Sequence, residues 1–437
     1  MWTYHPDLFE TPVPRYTSYP TAADFGPLTE GELEQSISQA SGDISLYLHI
    51  PFCQKICHYC GCNTAASGRR QRVDSYLQAL HTQIETEAGL LPADAGVRRV
   101  AFGGGSPNAI TPGDFIELVD AIHHHFRLHD TEWSIELDPR TMSSDWGEAI
   151  AAAGITRASM GVQTFAPHCQ TAIGREQGDG LICRTIDWLR AANVTSLNFD
   201  LMHGLPQQSA EDLADTLEYT RILGADRIAL FGYAHVPQII PRQKVIDATA
   251  LPGERERFAM AEQGFAYLTG HGYEAVGFDH FALPGDPMAK AARSGTLRRN
   301  FQGFTDDPSP VLLGLGASAI SVFPELIAQN EKNSGRFRML SSQGKLCASE
   351  GIVRSAADQA IGQVIERLLC QGKAEMTAGM IARVRARLAP FIERGLAELT
   401  NATTLHITPS GLPYSRVIAA LFDPYRETTT RRFSSAI

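Results

Sequence analysis

Short apolar runs recur through the first half of the chain, and each leads into a cysteine loop, glycines, an acid or another polar residue. Their length and composition predict buried strands at 45–50, 98–104, 133–139, 155–163, 196–205 and 227–236. Apolar residues at helical spacing predict helices between and after these strands, at 74–88, 113–128, 208–223 and 254–271. The pattern therefore alternates strands with helices.

This alternation predicts an α/β fold with a parallel sheet. Six such units suit an open, partial (β/α)6 barrel of the TIM-like kind. In that architecture, functional groups lie at the carboxyl ends of the strands. We therefore expect the site among the polar residues that follow each apolar run.

Three regions are predicted along the chain. Residues 1–36 are rich in proline and have little periodicity, so they predict an extended arm. A catalytic domain is predicted at 37–345, with a core at about 38–272 and a polar stretch at 329–345 that indicates a loop or a domain boundary. Residues 346–437 predict a mainly helical domain with helices at 355–370 and 377–395 and a strand–strand–helix ending, similar to a winged helix.

The charge balance narrows the function classes. The 437 residues include 38 Lys plus Arg and 48 Asp plus Glu, a net charge of −10. This balance argues against nucleic-acid binding, which needs excess cations, so we expect a structural or substrate-capping role for the winged-helix-like end. The first residues lack the apolar region of a secretory signal peptide. The apolar run at 310–328 is interrupted by glycine, proline and glutamate, so it does not predict a membrane-spanning helix. We therefore expect a cytoplasmic protein with no membrane partner.

The cysteines carry the most specific signal. Four of the eight, Cys53, Cys57, Cys60 and Cys62, lie in the loop CQKICHYCGC directly after the first predicted strand. Structural zinc sites usually use two separated cysteine pairs, which fits this crowded loop poorly. Thiolates spaced x3 and x2 can hold three irons of a 4Fe–4S cluster and leave the fourth iron open for S-adenosylmethionine. A zinc knuckle and redox thiols stay as alternatives.

The cysteine spacing and the GGGSP run resemble the radical S-adenosylmethionine (SAM) superfamily. More closely, the chain resembles the oxygen-independent coproporphyrinogen III oxidase (dehydrogenase) family. The matching segments run from the arm past residue 320: RYTSYPTA (15–22), LYLHIPFCQKICHYCGC (46–62), FGGGSP (102–107), IELDPR (135–140), SMGVQTF (159–165), GREQ (174–177), NFDLMHGLP (198–206), GYAH (232–235), DHFALP (279–284), RNFQGFT (299–305) and GLGASAIS (314–321). RYTSYPTA and RNFQGFT are the most specific of these.

The resemblance implies a role for individual residues. Cys53, Cys57 and Cys60 would ligate the cluster. The first SAM site would be lined by Tyr47, Gly104, Glu136 and Ile320. A second, adjacent SAM site would be lined by Tyr59, Gly105, Ser106, Gln163, Arg175, Asp200 and Ala234. The catalytic set would comprise Tyr47, His49, Cys62, Glu136, Phe301 and Gln302.

The resemblance also implies the reaction and its partners. The enzyme would convert coproporphyrinogen III to protoporphyrinogen IX in haem biosynthesis, turning two propionates into vinyl groups through a 5′-deoxyadenosyl radical. Its cofactors would be one 4Fe–4S cluster and two SAM molecules, and its electron donor would be a protein such as flavodoxin or ferredoxin. We expect a monomer. Arg15, Arg298 and Arg299 lie in or beside the most specific motifs and are candidates for binding the carboxylates of this tetrapyrrole.

Two functions from other classes stay open. One is a haem-binding carrier that keeps the cluster, although such relatives usually lack RYTSYPTA and RNFQG. The other is a structural zinc protein. Several polar residues also have structural interpretations: Asp138 and Arg140 would pair at a strand end, and Glu136 and Gln163 would be satisfied groups inside the barrel.

Overall fold

The structure is a computed structural model that describes residues 2–428. Within these residues the strands are β1 (Gly26–Pro27), β2 (Asp43–Ile50), β3 (Phe52–Cys53), β4 (Ala65–Ala66), β5 (Gly96–Gly104), β6 (Leu128–Leu137), β7 (Arg157–Gln163), β8 (Ser196–His203), β9 (Arg227–Gly232), β10 (Glu274–Val276), β11 (His280–Ala282), β12 (Arg298–Asn300), β13 (Gly303–Thr305), β14 (Val311–Leu315), β15 (Ile320–Val322), β16 (Leu326–Asn330), β17 (Ala348–Val353), β18 (Lys373–Glu375), β19 (Ala397–Thr400) and β20 (Thr404–Ile407).

The helices of the same described residues are α1 (Glu30–Ser38), α2 (Arg70–Ala88), α3 (Pro112–His125), α4 (Ser144–Ala152), α5 (Pro167–Ala172), α6 (Asp179–Ala191), α7 (Ala210–Ile222), α8 (Glu254–Gly270), α9 (Pro287–Ser294), α10 (Ser334–Ser341), α11 (Ala356–Gln371), α12 (Ala378–Glu393), α13 (Ser415–Ala420) and α14 (Tyr425–Thr428). Across residues 2–428, no helix is long and apolar enough to cross a membrane.

The central sheet confirms the predicted barrel class. Its strand order is β1-β17-β16-β15-β14-β2-β5-β6-β7-β8-β9-β11-β10, and β14, β2 and β5 to β9 run parallel. In β2 every residue except the first is buried, as expected for a parallel strand covered on both faces. Helices α2, α3, α4, α6 and α7 connect successive parallel strands. The carboxyl ends of the six predicted strands therefore meet at one mouth.

A hairpin covers the open side of the partial barrel. Strands β12 and β13 form this hairpin, and the ring of Phe301 at its tip lies 4.7 Å from the ring of Tyr47 on β2. Just beyond the hairpin, Asp306 accepts hydrogen bonds from Arg99 on β5 and Arg157 on β7, at 2.9 Å each. These contacts hold the hairpin against the inner face of the sheet. A cavity of about 330 Å³ remains between them.

The arm and the C-terminal region share a second hydrophobic core. The Tyr16 hydroxyl donates to Asp423, and Asp7 pairs with Arg394 at 2.8 Å. The C-terminal region has a small antiparallel sheet, ordered β18-β20-β19, beside α11, α12 and α13. This agrees with the mainly helical, winged-helix-like fold class. The domain limits at 36 and 345 stay predictions, and β17, which lies beyond the second limit, pairs with β16 in the central sheet.

The prediction of a loop at 329–345 is wrong, because helix α10 lies within these residues. The helix begins after Asn333, whose side-chain oxygen accepts hydrogen bonds from the amides of Gly335 and Arg336. It is anchored by Phe337, which is fully buried against the ring of Tyr76. One buried aromatic residue among polar neighbours gives too weak a periodicity to predict a helix from sequence.

A buried carboxyl group in α2 predicts a specific pH dependence of stability. Glu87 is 1% exposed and accepts a hydrogen bond from Gln83 at 2.6 Å. Burial raises its pKa from 4.5 to about 8, so between these values the folded protein binds more protons than the unfolded chain. The free energy of unfolding should therefore fall as the pH rises through this window. Glu87→Gln should remove this fall and stabilise the protein at pH 8 relative to the wild type.

Chemical denaturation of the metal-free protein from pH 5 to pH 8 tests this expectation. Glu34→Gln, at an exposed position of α1, is the matched control and should leave the wild-type profile unchanged. Equal pH profiles for the wild type and Glu87→Gln would contradict a protonated Glu87 in the folded state.

Candidate active site

The cysteine loop lies at the mouth of the barrel, directly after β2. Cys53 and Cys57 are buried and Cys60 is half-buried. Each sulfur atom accepts a hydrogen bond: Cys53 from the Thr64 hydroxyl at 3.2 Å, Cys57 from Arg140 at 3.3 Å, and Cys60 from the Cys62 amide at 3.4 Å. Hydrogen-bond donors around sulfur stabilise the thiolate form, which is the form that binds metal.

The spacing of the sulfur atoms distinguishes a cluster from a single ion. Four ligands of one tetrahedral zinc ion would lie about 4 Å apart. Within the part of the chain that the structure describes, no three of the four loop sulfurs lie within 4.8 Å of one another. Thiolates at this sequence spacing can each bind a different iron. The donor set therefore fits an iron–sulfur cluster.

The glycine run 103–105 spans the carboxyl end of β5 and is closely packed against protein atoms. A Cβ on the first glycine would lie 2.8 Å from Glu136, and one on the second would lie 2.8 Å from the His49 ring. A Cβ on the third would lie 2.6 Å from the carbonyl oxygen of Phe52. The second glycine also has φ of +116°, which disfavours other residues. Only glycine fits between these groups and the cysteine loop.

His49 and Tyr47 form a buried hydrogen-bonded pair beneath the cysteine loop. Nε2 of His49 lies 3.1 Å from the carbonyl oxygen of Asn63, so this nitrogen donates. Nδ1 then accepts from the Tyr47 hydroxyl at 3.2 Å. Burial lowers the pKa of His49 to about 4, so the ring is neutral at neutral pH. The pair fixes the direction of the Tyr47 ring inside the barrel.

Two of the carboxyl groups that line the barrel cavity belong to the predicted SAM sites. Glu136 accepts a hydrogen bond from the Gly104 amide at 3.3 Å, and burial, followed by the charge of Asp200, raises its pKa to about 7. Asp200 accepts hydrogen bonds from Ser159 and Asn198, and burial raises its pKa. Both groups line the cavity. Carboxylates with spare acceptor capacity can bind hydroxyl or ammonium groups of a ligand there.

Arg175 links the barrel to the cysteine loop. Its guanidinium group donates to the carbonyl oxygen of Gly161 at 2.7 Å and to the sulfur of Cys57 at 3.5 Å. A Cβ at Gly161 would lie 2.7 Å from this guanidinium group, so the glycine makes room for it. The nearby Gln163 has φ of +68°, a strained conformation for this residue type that is typical of functional sites.

The remaining predicted site residues lie on loops, on β15 and in the β12–β13 hairpin. The main-chain oxygens of Tyr59 and Ala234 both accept hydrogen bonds from Gln243, at 2.9 and 3.0 Å. Ser106 donates to Asn108. Ile320 lies on β15 beside the backbone of β14, and Gln302 lines the barrel cavity from the hairpin.

The structure brings together two of the three candidate substrate arginines. Arg299 donates to the main-chain oxygen of Arg15 at 3.1 Å, so the arm and the hairpin are in contact. Arg298 points elsewhere: it pairs with Glu366 of α11 at 2.9 Å, and its side chain is 49% exposed.

Two residues near the loop were not predicted to have this role. Arg140 does pair with Asp138, at 2.6 Å, as the sequence suggests, but it also donates to Cys57. Gln243 is 1% exposed and joins the loops of Tyr59 and Ala234. The position of Arg140 just after a predicted strand could have indicated a role at the site, because functional groups of such barrels lie at the carboxyl ends of strands. Gln243 lies in a segment without a recognisable pattern.

Comparison with known proteins agrees with this geometry. Residues 47–220 match the family model of the radical SAM superfamily. The chain is 38% identical to an oxygen-independent coproporphyrinogen III oxidase of Cereibacter sphaeroides, covering 98% of this chain and 97% of the relative. It is 35% identical to the enzyme of that name from Escherichia coli, covering 97% and 96%. The solved structure of the Escherichia coli coproporphyrinogen III oxidase, a radical SAM enzyme, superposes with a TM-score of 0.91 at 34% identity, covering 97% of this chain and 99% of that one.

The similarity thus extends beyond the cysteine loop to the arm, the hairpin and the C-terminal region. By this near full-length relationship, the chain belongs to the oxygen-independent coproporphyrinogen III oxidase family of the radical SAM superfamily.

Proposed function

We propose that the chain catalyses the oxygen-independent oxidative decarboxylation of two propionates of coproporphyrinogen III, giving the two vinyl groups of protoporphyrinogen IX in haem biosynthesis. The observation that carries this proposal is the near full-length relationship to enzymes of that name, which includes the hairpin over the barrel cavity. The cysteine loop alone would support only radical SAM chemistry.

Membership of the radical SAM family implies a 4Fe–4S cluster and SAM. When bound, these groups would supply the 5′-deoxyadenosyl radical chemistry that removes a hydrogen atom from the β-carbon of a propionate. In this proposal Cys53, Cys57 and Cys60 hold three irons, and Arg140 and Arg175 donate to the sulfur of Cys57. The positive charges of these arginines would stabilise a cluster with negative charge.

We infer two SAM sites on either side of the glycine run. The first comprises Tyr47, Gly104, Glu136 and Ile320. The second comprises Tyr59, Gly105, Ser106, Gln163, Arg175, Asp200 and Ala234. The two sets meet at the end of β5, where Gly104 belongs to the first set and Gly105 to the second. Separate cavity carboxyl groups, one in each set, would bind the ammonium or hydroxyl groups of two molecules.

The residues of the proposed catalytic set hold and shield the substrate. Tyr47, directed by neutral His49, packs against Phe301 and would exclude water from the reacting carbon. Gln302 and Glu136 line the cavity and would orient the macrocycle. Cys62, beside Cys60, would be available to hold or release a proton at its sulfur. A flavodoxin or ferredoxin would supply electrons. The chain would act as a monomer, because its own arm and C-terminal region flank the barrel.

An anaerobic assay tests the proposal. Cluster-loaded protein, a reductant, SAM and coproporphyrinogen III should yield protoporphyrinogen IX together with 5′-deoxyadenosine, with one SAM consumed for each vinyl group. Porphyrins are separated by chromatography after oxidation. SAM cleavage without any decarboxylated porphyrin, from protein with full iron and sulfide content, would contradict the proposed substrate. Tight haem binding without product would favour a carrier.

A further inference from the structure

Three arginine residues line the barrel cavity toward the amino ends of its strands, a region that we call the floor. Arg99 lies on β5, Arg157 is the first residue of β7, and Arg227 is the first residue of β9. Asp306 accepts hydrogen bonds from both Arg99 and Arg157, at 2.9 Å each. Arg157 also pairs with Glu132 at 3.0 Å. These two arginines therefore have acids as partners, and Arg227 differs from them.

The guanidinium group of Arg227 donates no hydrogen bond within residues 2–428. Its Nε atom is buried without a hydrogen-bond partner, and the nearest carboxylate oxygen, that of Asp286, lies 3.7 Å away. Asp286 instead accepts hydrogen bonds from the Ser196 hydroxyl at 2.5 Å and from the Met288 amide at 2.8 Å. A guanidinium group has five N–H donors, and buried donors without acceptors cost free energy. Arg227 therefore has donors available for a ligand in the cavity.

Arg227 keeps its positive charge in this environment. Burial, followed by the charge of Arg157, lowers the pKa of Arg227 to about 10, so the group is still protonated at neutral pH. Its side chain is only 16% exposed. A hydrogen bond from a charged donor is strongest where little water competes for the acceptor. An anionic group that reaches the floor would thus gain a strong contact.

Arg227 lies deeper in the barrel than the carboxyl group predicted to bind SAM on the neighbouring strand. Arg227 pairs in register with Asn198 of β8, and Asp200 follows Asn198 by two residues toward the carboxyl end. Two residues along a strand correspond to about 7 Å. Asp200 and Arg227 both line the cavity, so a ligand between them has one side toward the SAM sites and the other toward the floor.

We propose that Arg227 binds a propionate carboxylate of the tetrapyrrole that the reaction leaves intact. This inference rests on the proposed function, in which two of the four propionates lose their carboxylates and two keep them. The reacting propionates must approach the SAM sites, so the retained ones lie on the side of the ring that faces the floor. The terminal nitrogens of Arg227 donate to the carboxylate, while Asp286 lies beside Nε. Arg227 thereby determines which propionates face the SAM sites.

Binding of a porphyrin that carries only the retained propionates tests the proposal. Protoporphyrin IX has these two propionates, and its diamide is neutral with nearly the same shape. Arg227→Gln in the full-length, cluster-loaded protein should weaken protoporphyrin IX binding by about tenfold or more, because a charge-assisted hydrogen bond is lost. Binding of the diamide should not change. Anaerobic equilibrium dialysis measures both dissociation constants.

Coproporphyrin III, which has all four propionates, identifies the propionate that Arg227 meets. Arg227→Gln should weaken its binding by about the same factor as that of protoporphyrin IX. Loss for coproporphyrin III alone would mean that Arg227 meets a reacting propionate, and it would overturn the proposal. Equal losses for protoporphyrin IX and its diamide would also overturn it, as would no loss, or a wild type that binds protoporphyrin IX no more tightly than the diamide.

Two further variants separate ligand binding from a structural role of the ion pair. Asp286→Asn removes the charge beside Nε but keeps an oxygen that can accept from the Met288 amide, so it should bind protoporphyrin IX at least as tightly as the wild type. The same loss in Asp286→Asn as in Arg227→Gln would overturn the proposal. Arg227→Lys keeps the charge, should lose less affinity than Arg227→Gln, and serves if that variant does not fold.

The anaerobic assay of product formation distinguishes failure of this inference from failure of the proposed function. Wild-type protein that makes protoporphyrinogen IX, together with Arg227→Gln of unchanged KM, would overturn the inference alone. Selective loss of protoporphyrin IX binding in Arg227→Gln supports the role of Arg227 even if the wild type forms no product, and that second result would contradict the proposed function alone.

Discussion

Replacing Cys57 with serine should abolish activity, lowering product formation by about 1,000-fold or more. A serine oxygen is a poor ligand for iron in a sulfur-bridged cluster, and without the cluster no radical forms. Cys57 is also the sulfur that Arg140 and Arg175 contact, so its loss leaves two cations beside an uncharged group. Iron and acid-labile sulfide of the anaerobically reconstituted variant should fall with activity.

The matched control is Cys62→Ser in the same loop. Cys62 contacts Cys60 through its main-chain amide, a bond that serine preserves, and we place it outside the ligand set. Its iron and sulfide content should therefore equal that of the wild type, whatever happens to turnover. Equal loss of iron in the two variants would contradict the assignment of Cys53, Cys57 and Cys60 as the ligands.

Gly105→Ala should be the most damaging substitution in the glycine run. The new Cβ would lie 2.6 Å from the main-chain oxygen and 2.8 Å from the main-chain nitrogen of Phe52, and it would also overlap Thr64. Main-chain atoms cannot rotate away, so the backbone next to Cys53 must move. We expect activity to fall by about 100-fold and the free energy of unfolding by about 1–3 kcal/mol.

Gly113→Ala is the matched control, since a Cβ there meets only Thr111 at 3.8 Å, in the first turn of α3. It should keep full activity and equal or slightly raised stability. Thermal unfolding of the metal-free proteins, followed by cluster loading and the anaerobic assay, measures both effects. Wild-type activity in Gly105→Ala would show that the loop tolerates a shift, against the tight packing described above.

The fold could be predicted where the pattern is local. The run at 196–205 is observed as β8, and the helix expected at 254–271 is α8 (Glu254–Gly270). The hairpin of β12 and β13 could not be predicted as structure, because its strands have three residues each and mostly polar side chains. Its position depends on Asp306 contacting Arg99 and Arg157, which are remote in sequence.

The contacts of the candidate site likewise divide into those within one sequence motif and those between distant segments. The proposed cluster cysteines lie in one short loop, so a cluster could be proposed from their spacing, whereas the role of the glycine run was implied only by the family resemblance. The contacts of Arg140 with Cys57 and of Arg299 with the main-chain oxygen of Arg15 depend on tertiary packing between distant segments. Conversely, Arg298 lies directly beside the specific motif RNFQGFT (299–305), yet it pairs with Glu366. The position of a residue in or beside a motif therefore does not determine which way its side chain points.

The strand that carries the cysteine loop also limits how the protein can be assembled during synthesis. Leu46 of β2 pairs with Val100 of β5 on one side and with Leu313 of β14 on the other. As the chain leaves the ribosome, the first partner is available early and the second very late. Until residues 311–315 emerge, β2 has an open edge with unpaired main-chain groups, next to four thiols. The barrel around the cysteine loop can therefore be completed only after residues 311–315 have been synthesised.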